Sequence, residues 1–415
     1  MKNNKKNGKR SRLRAVLCCL LSALLLASLI GCDSDSGDAE STPTPTTAES
    51  APSATPTETP TTPTPLPSLD TVESVLPGRV TVSGTEFQVN GQKLFINGVN
   101  TPWDNWNDFG GEFDAAFWDT HFAELRESGV NASRIWICCN GDIGINIDED
   151  GIVTGATAKH WQNLDTLFAL AEKHGIYVMA TLMSFDNFKD SNKKYTRWRA
   201  MVQSEAAIQS YVDNYVVPFC ERYKNCNSLW SIDLCNEPDW IFENAECGKL
   251  PWEALGSYFA HAAAAIHKHS DVLVTVGFAI VKYNSDGYSG NYGSDEFLQS
   301  CYADKDAYLD FYSTHFYEWE APWFGFPFDK SPEAFRLDAD RPCVIGEFPA
   351  TGMLGDQSNS TAMSGSEIYR SSYDNGWNGV MAWTSNGVDD CGSLDDIRDG
   401  VKAMAEEHKA EVFPE

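Results

Sequence analysis

The sequence predicts an α/β fold, a (β/α)8 TIM barrel led by a short N-terminal β-hairpin. Three observations point there. Eight short apolar, β-rich runs alternate with amphipathic segments. The connections between them are short, which argues for parallel pairing. The runs end in polar, ionisable or aromatic residues and begin in blander ones, as in a barrel whose chemistry sits at the C-terminal ends of its strands. Eight such units over residues 72–415 favour a closed barrel over an open sheet.

Residues 1–31 stand apart from that fold. A basic stretch from Lys2 to Arg14 precedes an apolar run over 15–30, too short to span a membrane comfortably and suited to a signal peptide. It ends in Leu29-Ile30-Gly31-Cys32, which resembles a bacterial lipobox, and that resemblance makes Cys32 the lipidated N-terminus of the mature chain. Residues 32–71 are rich in Thr, Pro, Ser and Ala, as in Thr42-Pro43-Thr44-Pro45. They hold too little apolar surface to fold and read as an extended, disordered spacer. The expectation is a bacterial cell-surface lipoprotein, extracellular, touching the membrane only through its anchor.

Within 72–415, residues 79–82 and 86–89 read as short strands, and Asn90-Gly91 is a two-residue turn into Lys93-Leu94-Phe95-Ile96-Asn97. This hairpin plugs or precedes the barrel. The barrel strands are expected at 94–99, 132–138, 177–182, 229–235, 272–276, 309–315, 343–347 and 379–383. Helices are expected at 115–128, 158–174, 204–223, 252–267, 295–303, 332–337, 365–375 and 394–408. In the second, Trp161, Leu164, Leu167, Phe168 and Ala171 follow helical spacing.

Charge and cysteine content narrow the function. The chain carries a net charge of −28, and without the seven cations of residues 1–31 this becomes −35. Such acidity argues against nucleic acid or an anionic membrane as partner and fits a neutral substrate; a monomer is expected. Of twelve cysteines, nine lie beyond Cys32, an odd number that cannot all pair within the chain. Cys235 and Cys343 sit in apolar runs as small buried hydrophobes. Cys220 and Cys226 are close enough in sequence to be bridged, and their spacing fits no zinc pattern. Neither a metal nor another cofactor is expected.

The strand ends carry the chemistry. Glu237, in Asn236-Glu237-Pro238, closes the fourth strand, where proline stops the strand and fixes the turn. Glu347 closes the seventh. Two carboxyls at the mouth of one barrel suit glycoside hydrolysis, in which one protonates the leaving oxygen and the other attacks the anomeric carbon or activates water. Arg134 can hold Glu347 ionised, Asn236 can bond a sugar 2-hydroxyl, and His315 and Tyr317 can set the two acids apart. Trp103, Trp136, Trp240 and Trp383 can stack on pyranose faces. Each alone has an ordinary structural explanation; their coincidence on strands two, four, six, seven and eight carries the reading.

Phe95-Ile96-Asn97-Gly98-Val99-Asn100, Ser133-Arg134-Ile135-Trp136, Leu234-Cys235-Asn236-Glu237-Pro238, His315-Phe316-Tyr317, Ile345-Gly346-Glu347-Phe348 and Ala382-Trp383 together resemble glycoside hydrolase family 5, the cellulase superfamily. The resemblance runs from about residue 79 to the C-terminus. It implies a retaining double displacement with Glu237 as acid/base and Glu347 as nucleophile, supported by Arg134, Asn236, His315, Tyr317 and Trp383. Many members, cellulases especially, end the third strand with histidine, whereas this chain has Ala180-Thr181-Leu182-Met183-Ser184-Phe185-Asp186-Asn187. With Arg134-x-Trp136, that departure leans toward β-mannan over cellulose, β-glucan or xylan. The expected protein is a retaining endo-β-1,4-glycanase acting on a plant cell-wall polysaccharide. An exo-acting relative and a non-catalytic glycan-binding lipoprotein are the competing readings.

Overall fold

Three short antiparallel strands precede the barrel: β1 (Val80–Ser83), β2 (Glu86–Val89) and β3 (Gln92–Leu94). The computed structural model describes residues 67–353 and 362–415; the expected leader, Cys32 and the spacer through residue 66 lie outside the described residues. The expected hairpin at Asn90-Gly91 is two strands of a three-stranded sheet. The run after Asn90-Gly91 divides at Phe95 into β3 and the first barrel strand.

The barrel strands are β4 (Ile96–Asn100), β5 (Ala132–Trp136), β8 (Tyr177–Thr181), β9 (Leu229–Asn236), β10 (Leu273–Phe278), β13 (Tyr312–His315), β14 (Cys343–Glu347) and β15 (Gly379–Trp383). They pair in parallel in chain order, and β15 closes on β4. Each barrel-strand residue is buried, so the strands read as apolar runs rather than as alternating patterns. Two small hairpins, β6–β7 (Ile145–Ile147 with Val153–Ala156) and β11–β12 (Asn284–Ser285 with Gly290–Asn291), sit in the connections.

The lead-in sheet seals the N-terminal end of the barrel. Leu76, Val80, Phe87, Val89 and Leu94 form one apolar cluster with Met179, Trp230, Val344 and Met381 from the barrel strands and with Phe311 just before β13. Phe87 is fully buried and meets Trp230 and Phe311 edge-on, with ring centroids 5.4 and 5.2 Å away. The opposite, C-terminal end is left open for the polar strand ends.

Helices wrap the barrel with locally coded ends. Asp114 accepts from the amides of Ala116 and Phe117 to start Ala115–Glu127. Ser364 and Glu367 form a reciprocal capping box on Gly365–Asp374. Gly175 ends Ala158–His174 in the left-handed region at φ 70°.

Two expected helices differ. The segment expected as one helix over 204–223 is three pieces, Glu205–Tyr211, a π turn at Val212–Val216, and Val217–Tyr223. Pro218 has no N–H to offer the preceding turn, so the helix widens there. Residues 332–337 form a turn rather than a helix. Phe335 and Leu337, two apart, are both buried, and Arg336 between them takes φ 73°, which a right-handed helix cannot accommodate. Cys220 and Cys226 are free thiols rather than a disulfide; the Cys226 thiol donates to Glu172 Oε1 at 3.0 Å.

Candidate active site

Glu237 follows directly on β9. Its amide donates to the Gly277 carbonyl at 2.7 Å, and its backbone takes φ 51°, a left-handed conformation costly for a residue with a β-carbon. Pro238 then opens the helix Pro238–Glu243, because its fixed φ suits a first turn. The chain is thus bent so that the Glu237 side chain enters the barrel mouth. Its Oε2 accepts from the Trp240 indole N–H at 2.8 Å, and its Oε1 lies 3.0 Å from His315 Nδ1. Burial pushes its pKa up to about 7, against the pull of the Trp240 hydrogen bond and the Arg134 charge.

Glu347 ends β14, in register with His315 on β13. Arg134 Nη1 donates to its Oε1 at 2.6 Å and the Tyr317 hydroxyl to its Oε2 at 2.8 Å. Burial raises its pKa too, while His315, Arg134 and Tyr317 pull it back. The two acids therefore differ in kind. Glu347 has a fixed cation against it, whereas Glu237 has an indole N–H and an imidazole.

Arg134 is the hub. It is fully buried and uses all five N–H donors: Nε and Nη2 to Asp233 Oδ2 (3.1 and 2.7 Å), Nη2 also to Asn236 Oδ1 (2.8 Å), and Nη1 to Asn100 Oδ1 (3.1 Å) and to Glu347. The guanidinium lies 4.2 Å from the Trp136 ring centroid. With no donor to spare, it is locked, and Glu347 with it.

His315 is fully buried, and burial lowers its pKa to about 4, so it is neutral near pH 7. Its Nδ1 lies 3.0 Å from Glu237 Oε1 and 3.5 Å from Glu347 Oε1, between the two carboxylates. The ring lies against Gly277, where a β-carbon would come within 2.8 Å of His315 Nε2 and 2.9 Å of Arg134 Nη2. Glycine is required there by close approach.

Aromatic side chains flank the carboxylates in two groups. Trp103, Trp106, Trp136 and Trp383 pack edge to face, with Trp136 and Trp383 centroids 5.1 Å apart. Trp383 precedes a cis peptide bond to Thr384. Trp240, Trp319 and Trp323 form a second row with centroids 6.0 and 6.3 Å apart, and Trp319 and Trp323 are 39% and 68% exposed. The ten expected catalytic and supporting residues all stand at this end of the barrel. Trp136 is 2% exposed and lies against the Arg134 guanidinium.

Several partners were not expected. Asp233 balances Arg134, and its signal was an acid inside an otherwise apolar strand run. Asn100 ties Arg134 to the Gly346, Met381 and Ala382 carbonyls. Where many relatives of the resembled family carry histidine, Ser184 Oγ lies 3.4 Å from Asn236 Nδ2 and donates to Asp186 Oδ2. Glu237, His315 and Glu347 offer ligand atoms within 4.8 Å of one another. The Arg134 cation already touches that group, and its charge opposes a metal ion there.

No known family model matches the sequence. A mannan endo-1,4-beta-mannosidase of Mytilus edulis is 27% identical over 339 residues, covering 75% of this chain and 89% of the relative. One from Cryptopygus antarcticus is 26% identical over 338 residues, covering 74% and 85%. The solved structure of the beta-1,4-mannanase of the common sea hare Aplysia kurodai matches 81% of this chain and 99% of its own, with a TM-score of 0.70 at 24% identity. That likeness speaks for the barrel, and the sequence relatives and the site motifs point the same way. In sequence the chain is similar to mannan endo-1,4-beta-mannosidases, and in fold it is similar to a solved β-1,4-mannanase.

Proposed function

We propose that this chain is a retaining endo-β-1,4-mannanase. The observation that carries the reading is the unequal pair of carboxyls bridged by His315: Glu347 gripped by Arg134 and Tyr317, and Glu237 left protonatable near pH 7. In the first step the Glu347 carboxylate attacks the anomeric carbon. The bond to the leaving sugar's oxygen breaks, and Glu237 gives that oxygen its proton. In the second step water attacks the same carbon, passes a proton to Glu237, and releases Glu347. Two inversions give retention. Asn236, held by Arg134, is placed to meet a sugar hydroxyl, and the two indole groups supply stacking faces along the chain.

The mannan assignment draws on the relatives' substrate and on a third strand without histidine. Incubation of residues 67–415 with mannan, cellulose and xylan tests it. The expected result is reducing sugar from mannan, appearing as a spread of oligosaccharides. Monosaccharide as the sole early product points to exo action, and binding without turnover points to a glycan receptor. Attachment at Cys32 as an extracellular surface lipoprotein belongs to the same proposal. Replacement of Cys32 by serine is expected to abolish palmitate labelling and release the protein from the membrane fraction.

A further inference from the structure

The turn after β13 contains an acid that the two-step reaction leaves without a task. Glu320 is fully buried, and burial raises its pKa well above the usual carboxylate range. Oε1 accepts the Tyr317 amide N–H at 2.9 Å, and Oε2 is buried with no hydrogen-bond partner among the described residues. A buried carboxyl with one hydrogen bond is costly, and an apolar side chain would fill the same space more cheaply.

Its surroundings give that cost a purpose. The Glu320 amide donates to the Tyr317 carbonyl at 2.9 Å, while its side chain takes the Tyr317 N–H, so one residue closes the turn in both directions. Tyr317, at the start of the turn, reaches Glu347 with its hydroxyl. Trp319, within the turn, lies 6.0 Å from Trp240, whose indole N–H holds Glu237. A single turn therefore touches both carboxylates by different routes.

We propose that Glu320 is a positioning residue that sets Tyr317 on Glu347 and Trp319 against Trp240 together, fixing the spacing of the two catalytic acids. The proposal rests on the hydrolase reading above. Glutamine keeps the accepting oxygen at the same reach and is neutral, so it should substitute for the acid; alanine should not.

The experiment compares Glu320→Gln, Glu320→Ala, Tyr317→Phe and Glu320→Ala/Tyr317→Phe on mannan. Glu320→Ala is expected to lower kcat by roughly 10- to 100-fold with KM within about threefold of the parent, as for an angstrom-scale misplacement of reacting groups. Glu320→Gln is expected to keep at least about a third of the parent kcat, and the double variant to be no worse than the poorer single one, because Glu320→Ala already removes what the Tyr317 hydroxyl contributes. Losses that multiply, or a Glu320→Ala kcat within about twofold of the parent, overturn the proposal. If Glu320→Ala loses its cooperative melt, Glu320→Asp takes its place: its carboxyl falls one methylene short of the Tyr317 amide, and a rate equal to that of Glu320→Gln overturns the proposal. If the parent itself cleaves no glycan, the functional reading fails separately, and near-ultraviolet circular dichroism still tests the placement. The signal lost in Trp319→Phe should be lost in Glu320→Ala and kept in Glu320→Gln; its persistence in Glu320→Ala overturns the proposal.

Discussion

Glu237 and Glu347 are the same amino acid at the ends of two strands, and their neighbours make them different. Glu347 sits against a guanidinium whose other donors are all committed, so its carboxylate is held in place. Glu237 is tuned upward by burial, and the Trp240 N–H restrains that rise because it bonds the anion. The sign of a Trp240→Phe change follows. Removing the N–H destabilises the carboxylate, the Glu237 pKa moves above about 7, and the protonated acid persists to higher pH. The alkaline limb of kcat/KM for mannan hydrolysis is expected to shift to higher pH, and an unchanged or lowered limb would contradict this assignment of the acid. The two glutamates were legible in the sequence because each closes an apolar run. The pairing of Arg134 with Asp233 and Asn100 was not, because barrel closure brings together residues that lie 99 and 34 positions apart in the chain.

At the scale of elements, all eight barrel strands lie where apolar runs were read, since strands buried on both faces leave uninterrupted hydrophobic stretches. The misread segments are those where local rules compete. Pro218 widens a helix that periodicity alone would leave regular, and the 332–337 turn buries Phe335 and Leu337 through a left-handed Arg336. Glu320 shows a different limit: nothing in Tyr317-Glu318-Trp319-Glu320 says which acid folds inward. The lead-in sheet is expected to act on stability and not on chemistry, because it seals the end of the barrel away from the carboxylates. Phe87→Ala is expected to cost about 3–5 kcal/mol in urea unfolding, as for a large aromatic deleted from a close-packed core. Its kcat on mannan at low temperature is expected to match the parent. A loss of activity without a loss of stability would contradict the separation of the two ends.

At the scale of the whole molecule, a strongly acidic chain carries at its barrel mouth one locked cation, two unequal acids and two rows of indoles. That combination fits a neutral sugar chain lying across the carboxylates, and the sequence relatives named above agree with it in kind. The central claim is the division of labour between Glu347 as nucleophile and Glu237 as acid/base. The most direct measurement replaces Glu347 with glycine and supplies azide with an activated β-mannoside, following the product's anomeric configuration by NMR. The account predicts restored turnover and an α-mannosyl azide, formed by a single inversion in the space the carboxylate leaves. A β-mannosyl azide from this variant, or rescue confined to Glu237→Gly, would contradict it.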